Sequence, residues 1–195
     1  MRIKKILKLY ALILAVLIVL TGCSNENSLL GTCWEEYRSV LEDPKSSGLS
    51  LKIYYVTHDV LFYRGAVTAE ELINSPGTNL IDIDNRTLLE DISLIHRLAN
   101  TLWIPRTSNM SENARLCYVF EAPDRNIRFV ISISGLGHGE YENYYINGIS
   151  VAFDPILLDI MQTFVPYDVA QELKYYFPSA IVTQGTDRTG DGSLS

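Results

Sequence analysis

Two runs between positions 116 and 134 constrain this chain's fold more than any other feature. In the first, Leu116, Tyr118 and Phe120 alternate with Cys117, Val119 and Glu121; in the second, Ile127, Phe129, Ile131 and Ile133 alternate with Arg128, Ser132 and Ser134. A period of two places successive side chains on opposite faces of a strand, and Pro123-Asp124 between the runs signals a turn. The segment therefore reads as an antiparallel hairpin with one apolar face. A cover for such a face stands upstream. Leu88, Leu89, Ile92, Ile95, Ala99, Leu102 and Trp103 recur at spacings of three and four, the stripe of one long amphipathic helix. Thr87 is its expected N-cap, with Glu90 three residues on, and Pro105 stops it. At roughly 25 cal/mol per Å² of buried apolar area, that stripe is expected to be a main source of stability.

The remaining elements follow the same logic. Thr32 precedes Glu35 by three, and Trp34, Tyr37 and Leu41 then recur at helical spacing, so a short helix is expected over 33–42. Residues 51–56 and 60–64 read as two strands joined at His58-Asp59, and 80–83 as a third. Between them, Thr68 and Glu71 form a capping box ahead of a short helix broken by Ser75-Pro76-Gly77. Asn147-Gly148 separates two β-rich triplets, 144–146 and 149–151, the strongest short-range signal for a type I′ hairpin. Asp154-Pro155 opens a helix with Ile156, Leu157, Ile160, Met161 and Phe164 on its apolar side, and a further helix is expected over 168–176. Sequential antiparallel strands with one-sided alternation, joined to amphipathic helices, fit an α+β fold: a two-layer, mostly antiparallel sheet packed by helices. A single globular domain over 32–182 and a flexible tail over 183–195 complete this division.

The first 23 residues stand apart. Arg2, Lys4, Lys5 and Lys8 form a cationic start, positions 9–20 are almost unbroken apolar residues, and Leu20-Thr21-Gly22-Cys23 closes them. A charged head, a short apolar middle and small residues read as an export signal, and the run is short for a bilayer span. The last four residues resemble the lipobox of bacterial lipoproteins. That resemblance implies removal of residues 1–22, acylation of Cys23 as the first mature residue, a lipidated tether over 23–31, and an extracytoplasmic domain held at the cell membrane or outer membrane. Ser24 in place of an aspartate leaves the outer membrane open in a Gram-negative envelope. Two or more acyl chains hold stably where one does not.

Charge narrows the partners. The 173 residues from Cys23 onward carry 12 basic and 23 acidic side chains, a net charge of −11. That sign repels phosphate backbones and anionic lipid surfaces, so nucleic acid is not an expected partner and attachment must come from lipid. Once Cys23 is acylated, Cys33 and Cys117 remain. They either pair across a long loop in an oxidising exterior or serve as two separate small hydrophobes.

Catalytic signals are incomplete. Gly31-Thr32-Cys33-Trp34 resembles four residues of the papain-type cysteine protease motif but lacks its leading cysteine, and His138 falls short of the downstream spacing. Gly135 to Gly139 is glycine-rich, yet a strand rather than a helix is expected next and no P-loop lysine is present. His58, His96 and His138 have no metal-ligand spacing, and His96 falls on the apolar stripe as a core or boundary residue. Asp187 to Gly192 resembles the start of an EF-hand calcium loop without its closing acid. No cofactor and no metal are expected.

Tyrosine is abundant, at 12 residues, and gives large contact area at low entropic cost. His138, Glu140, Tyr141, Tyr144 and Tyr145 gather near one loop and form the expected binding patch, for an envelope protein or polysaccharide. The expected function is a non-catalytic binding module of the cell envelope. The alternative is a small extracytoplasmic hydrolase drawing acid and base from His138, Glu140 or the Asp82/Asp84 pair.

Overall fold

The computed structural model describes residues 25–57, 67–106, 112–134 and 144–177. Strands β1 (Ser50–Tyr55), β2 (Asn79–Ile83), β3 (Ala114–Ala122), β4 (Ile127–Ser134), β5 (Tyr144–Ile146) and β6 (Ile149–Val151) form one sheet in the order β2-β1-β3-β4-β5-β6. Every pairing between these strands is antiparallel. Helices α1 (Asn25–Glu42), α3 (Asn85–Glu90), α4 (Ile92–Ala99), α5 (Ile156–Phe164) and α6 (Tyr167–Leu173) contribute to the core on one face, and α2 (Ala69–Ile73) covers part of the other. The fold is α+β, a single sheet packed by helices. No described helix is long and apolar enough to cross a membrane.

The two alternating runs form the central pair. Leu116, Tyr118 and Phe120 stand opposite Ile133, Ile131 and Phe129, all facing the main core. A single 3-10 turn over Pro123–Arg125, ending on Asn126 at φ +52, reverses the chain between them. Asn147 (φ +46) and Gly148 (φ +81) supply the two positive φ angles of the second tight hairpin, the backbone state a type I′ turn requires.

Helix α1 lays Leu30, Trp34, Tyr37, Val40 and Leu41 on the core side. Phe129 is stacked against Tyr37 at 4.6 Å and against Phe120 at 4.8 Å, while Trp34 meets it edge-on at 6.0 Å. Offset and edge-to-face aromatic packing adds about 0.5–1.5 kcal/mol per pair beyond area burial. Two buried tyrosines bond their hydroxyls to the backbone: Tyr118 donates to the Leu157 carbonyl at 2.8 Å and Tyr176 to that of Val56 at 2.9 Å. Full burial pushes the Tyr118 phenol well above its ordinary range.

The opposite face has a smaller apolar cluster. Leu72 of α2 sits with Val56, Val67, Ala114, Cys117, Val119 and Val130. Helix α2 starts as its sequence demands: the Thr68 hydroxyl accepts from Glu71 N at 3.2 Å, and Thr68 N donates to the Glu71 carboxylate at 2.8 Å.

Several expectations need correction. The single helix expected over 88–103 is two. Asp84, rather than Thr87, is the N-cap, accepting from Thr87 N at 2.8 Å, and the chain leaves helical geometry at Asp91 before α4 begins. Asn100 ends α4, which leaves Leu102 exposed and Trp103 buried beyond it. The stretch expected as a tether is helical from Asn25, and Leu30 is buried in the core, so Thr32 lies inside α1 and not at its cap. His96 is exposed on α4 instead of sitting at the core boundary. The strand expected over 60–64, the turn at His58-Asp59 and the C-terminal tail lie outside the described residues.

Candidate functional site

Beyond α2, the open face of the sheet holds a cleft of about 360 Å³. Strand β4 supplies its floor through Arg128, Val130 and Ser132, which a period of two brings to the same face. The start of α2 forms one wall with Thr68, Ala69 and Glu70; Glu112 and the Asn147-Gly148 turn form the rest.

The polar groups are paired in a definite pattern. Ser132, almost fully buried, donates its hydroxyl to the Glu112 carboxylate. The Arg128 guanidinium donates to Glu70 at 2.7 Å and lies 3.8 Å from Glu121, which binds Lys52 at 2.7 Å. A line of alternating charge, Glu70, Arg128, Glu121, Lys52, thus crosses the face. The hydrogen bond to Glu121 raises the Lys52 ammonium above its ordinary value. Glu112 has no cationic partner among the described residues. The field of the cleft reaches below its floor: burial pushes the Cys117 thiol well up, and Glu112 and Glu70 push it further while Arg128 opposes them.

Of the residues expected to form a tyrosine patch, His138, Glu140 and Tyr141 lie outside the described residues, as does Cys23. Tyr144 and Tyr145 do not form an exposed surface. Successive strand residues point oppositely, so Tyr144 enters the main core, 1% exposed and 5.0 Å from the Phe153 ring, and Tyr145 faces the other way. Tyr145 is directly opposite Ser132 in the ladder, next to the cleft floor, but is itself 4% exposed. Cys33 and Cys117 are both free. Cys33 packs on the helix side of the sheet and Cys117 in the cluster on the opposite side, so the sheet separates the two thiols. Of the acid pair, Asp84 is occupied as a helix cap and Asp82 stands opposite Lys52 on β1.

Glu112, Ser132, Arg128 and Glu70 were not singled out by sequence. Arg128 and Ser132 are legible as the polar set of an alternating strand, but nothing in linear spacing brings Glu112 or Glu70 beside them. Chemically the group sets carboxylate acceptors beside a guanidinium donor. Among the described residues the group that accepts the Ser132 hydroxyl is the Glu112 carboxylate. Among the described residues the one histidine, His96, is on a helix of the opposite layer. No described group of three or more His, Cys, Asp or Glu side chains is placed to hold a metal ion. No protein-family model, curated protein or solved structure matches this chain.

Proposed function

We propose that this chain is a lipid-anchored extracytoplasmic lipoprotein whose domain binds a small polar envelope component without turning it over. The anchor rests on Leu20-Thr21-Gly22-Cys23 behind its charged and apolar segments. The cleft of Glu112, Ser132, Arg128 and Asn147 carries the binding part of this reading. It offers one carboxylate with no cationic partner for a ligand amine or hydroxyl, and beside it a guanidinium for an acceptor. Of the hydrolase alternative, Asp84 is committed to its helix as a cap, while His138 and Glu140 lie outside the described residues.

Two measurements on full-length protein expressed in a bacterial host test the reading. Mass spectrometry of the membrane-extracted protein is expected to show loss of residues 1–22 and a diacylated or triacylated Cys23; an intact, unacylated N-terminus refutes the anchor. Thermal-shift screening against muropeptides, amino sugars and glycerol phosphates is expected to find a stabilising ligand whose effect is lost in Glu112→Gln. Release of product from that ligand would instead establish an enzyme.

A further inference from the structure

The segment after α4 presents an apolar feature unrelated to the open-face cleft. Leu102 is 84% exposed and Ile104 59%, while Trp103 between them is turned inward. These side chains are not on a loose loop. Arg106 N donates to the Ser150 carbonyl at 2.9 Å and Ala152 N to that of Ile104 at 2.8 Å, with a β-bridge between Pro105 and Val151. Residues 104–106 are thereby pinned along β6, and at the other end the Asn100 carboxamide oxygen accepts from Arg38 of α1 at 3.1 Å. A strand-like segment held at both ends projects two aliphatic side chains into solvent.

The position of this pair says what covers it. A second cleft of about 240 Å³ is lined by Leu102, Trp103 and Pro105 on one side and by Leu30, Gly31 and Trp34 of α1 on the other. Leu30 is five residues into α1, and Cys23 two residues before α1 begins. At 1.5 Å per helical residue and at most about 3.6 Å per extended one, Cys23 lies within roughly 15 Å of Leu30. We infer that, in the acylated protein, Leu102 and Ile104 insert into the membrane interface beside the lipid on Cys23 and fix the domain's orientation on the bilayer. This inference rests on the anchor reading above. The net charge of −11 disfavours adhesion to anionic headgroups, which leaves aliphatic side chains as the contact. Two such residues bind too weakly alone, but the acyl chains keep them at the surface at high effective concentration.

Both tryptophans of the chain, Trp34 and Trp103, line this cleft and pack edge-to-face at 5.5 Å, so intrinsic fluorescence reads this face. Protein purified from membranes is placed in phosphatidylcholine and phosphatidylglycerol vesicles with or without brominated acyl chains, after its mass has been measured. The inference predicts bromine quenching of the tryptophans that is lost in L102D/I104D and kept in L80D, an exposed leucine on β2 at the far edge of the sheet. Acylated protein that is not quenched, or that loses quenching equally in L80D, overturns the orientation alone. A mass showing unacylated Cys23 removes the anchor and the orientation with it. Dimerisation in solution that disappears in L102D/I104D, with no quenching, assigns the patch to a second copy and overturns the inference.

Discussion

The Asn147 amide donates to the Tyr37 hydroxyl at 2.6 Å, tying the turn between β5 and β6 to the middle of α1. The same side chain accepts from Val130 N at 2.8 Å, so it extends the β4 ladder by one bond while its backbone makes the tight turn. One residue therefore joins helix layer, central strand and edge hairpin. Asn147→Ala is expected to cost about 2–4 kcal/mol, through two lost bonds, an unpaired Val130 amide and a left-handed alanine. Asn147→Gly keeps the turn geometry and should cost less. Urea denaturation measures both; an alanine variant as stable as the parent would refute this assignment.

Trp103 is 7% exposed, and its indole N–H has no hydrogen-bond partner among the described residues. A buried donor left unpaired is a liability, so removing the polar atom offsets part of the lost packing. Trp103→Phe is expected to change stability by no more than about 1 kcal/mol, whereas Trp103→Ala should cost about 3–5 kcal/mol. Thermal unfolding of the two variants side by side gives the contrast, and a phenylalanine variant as damaged as the alanine one argues against it.

Cys117 should be chemically silent. Its thiol is fully buried and its thiolate strongly disfavoured, and the thiolate is the reactive form. Alkylation of folded protein, read by peptide mass spectrometry, is expected to spare Cys117 until denaturant is added. Because the sheet separates Cys117 from Cys33, adding a reductant should leave the melting temperature unchanged. A melting temperature that falls with reductant would show that the two thiols pair after all.

Acid sensitivity has identifiable sources in two caps. Hydrogen bonding of Thr68 N to Glu71, and of Thr87 N to Asp84, lowers both carboxyl pKa values relative to 4.5 and 3.8. A depressed folded pKa adds stability above the unfolded value and loses it as pH falls through the lower folded one. Asp84→Asn with Glu71→Gln is expected to leave stability near pH 7 little changed, since asparagine caps as well as aspartate, and to flatten its decline below about pH 4.5. Denaturation midpoints across that range decide it, and an undiminished acid slope would place the sensitivity elsewhere.

Elements governed by local chemistry were readable in the sequence. The β3–β4 alternation, the Asn147-Gly148 turn and the Thr68/Glu71 box each depend on residues a few positions apart, and each forms as expected. Elsewhere a tertiary arrangement overrides the local pattern. The stripe from Leu88 to Trp103 fits one helix, but Asp84 captures the cap and the chain breaks at Asp91, which turns Leu102 outward. Tyrosines 144 and 145 suggested a surface because the covering of both sheet faces is invisible in a three-residue strand. The cleft joins the start of α2, the approach to β3, the middle of β4 and a distant turn, so no short-range signal announces it.

Helix α1 is the first described element yet packs on Phe129, about 95 positions later in the chain. Its Trp34 and Tyr37 therefore wait for a hairpin synthesised long after them, and loop closure over that span delays the core until the central strands arrive. Were the chain exported amino end first, as the anchor proposal has it, this connectivity would keep the leading segment open while the rest was still being threaded through, and the domain would lock only after its middle strands had emerged.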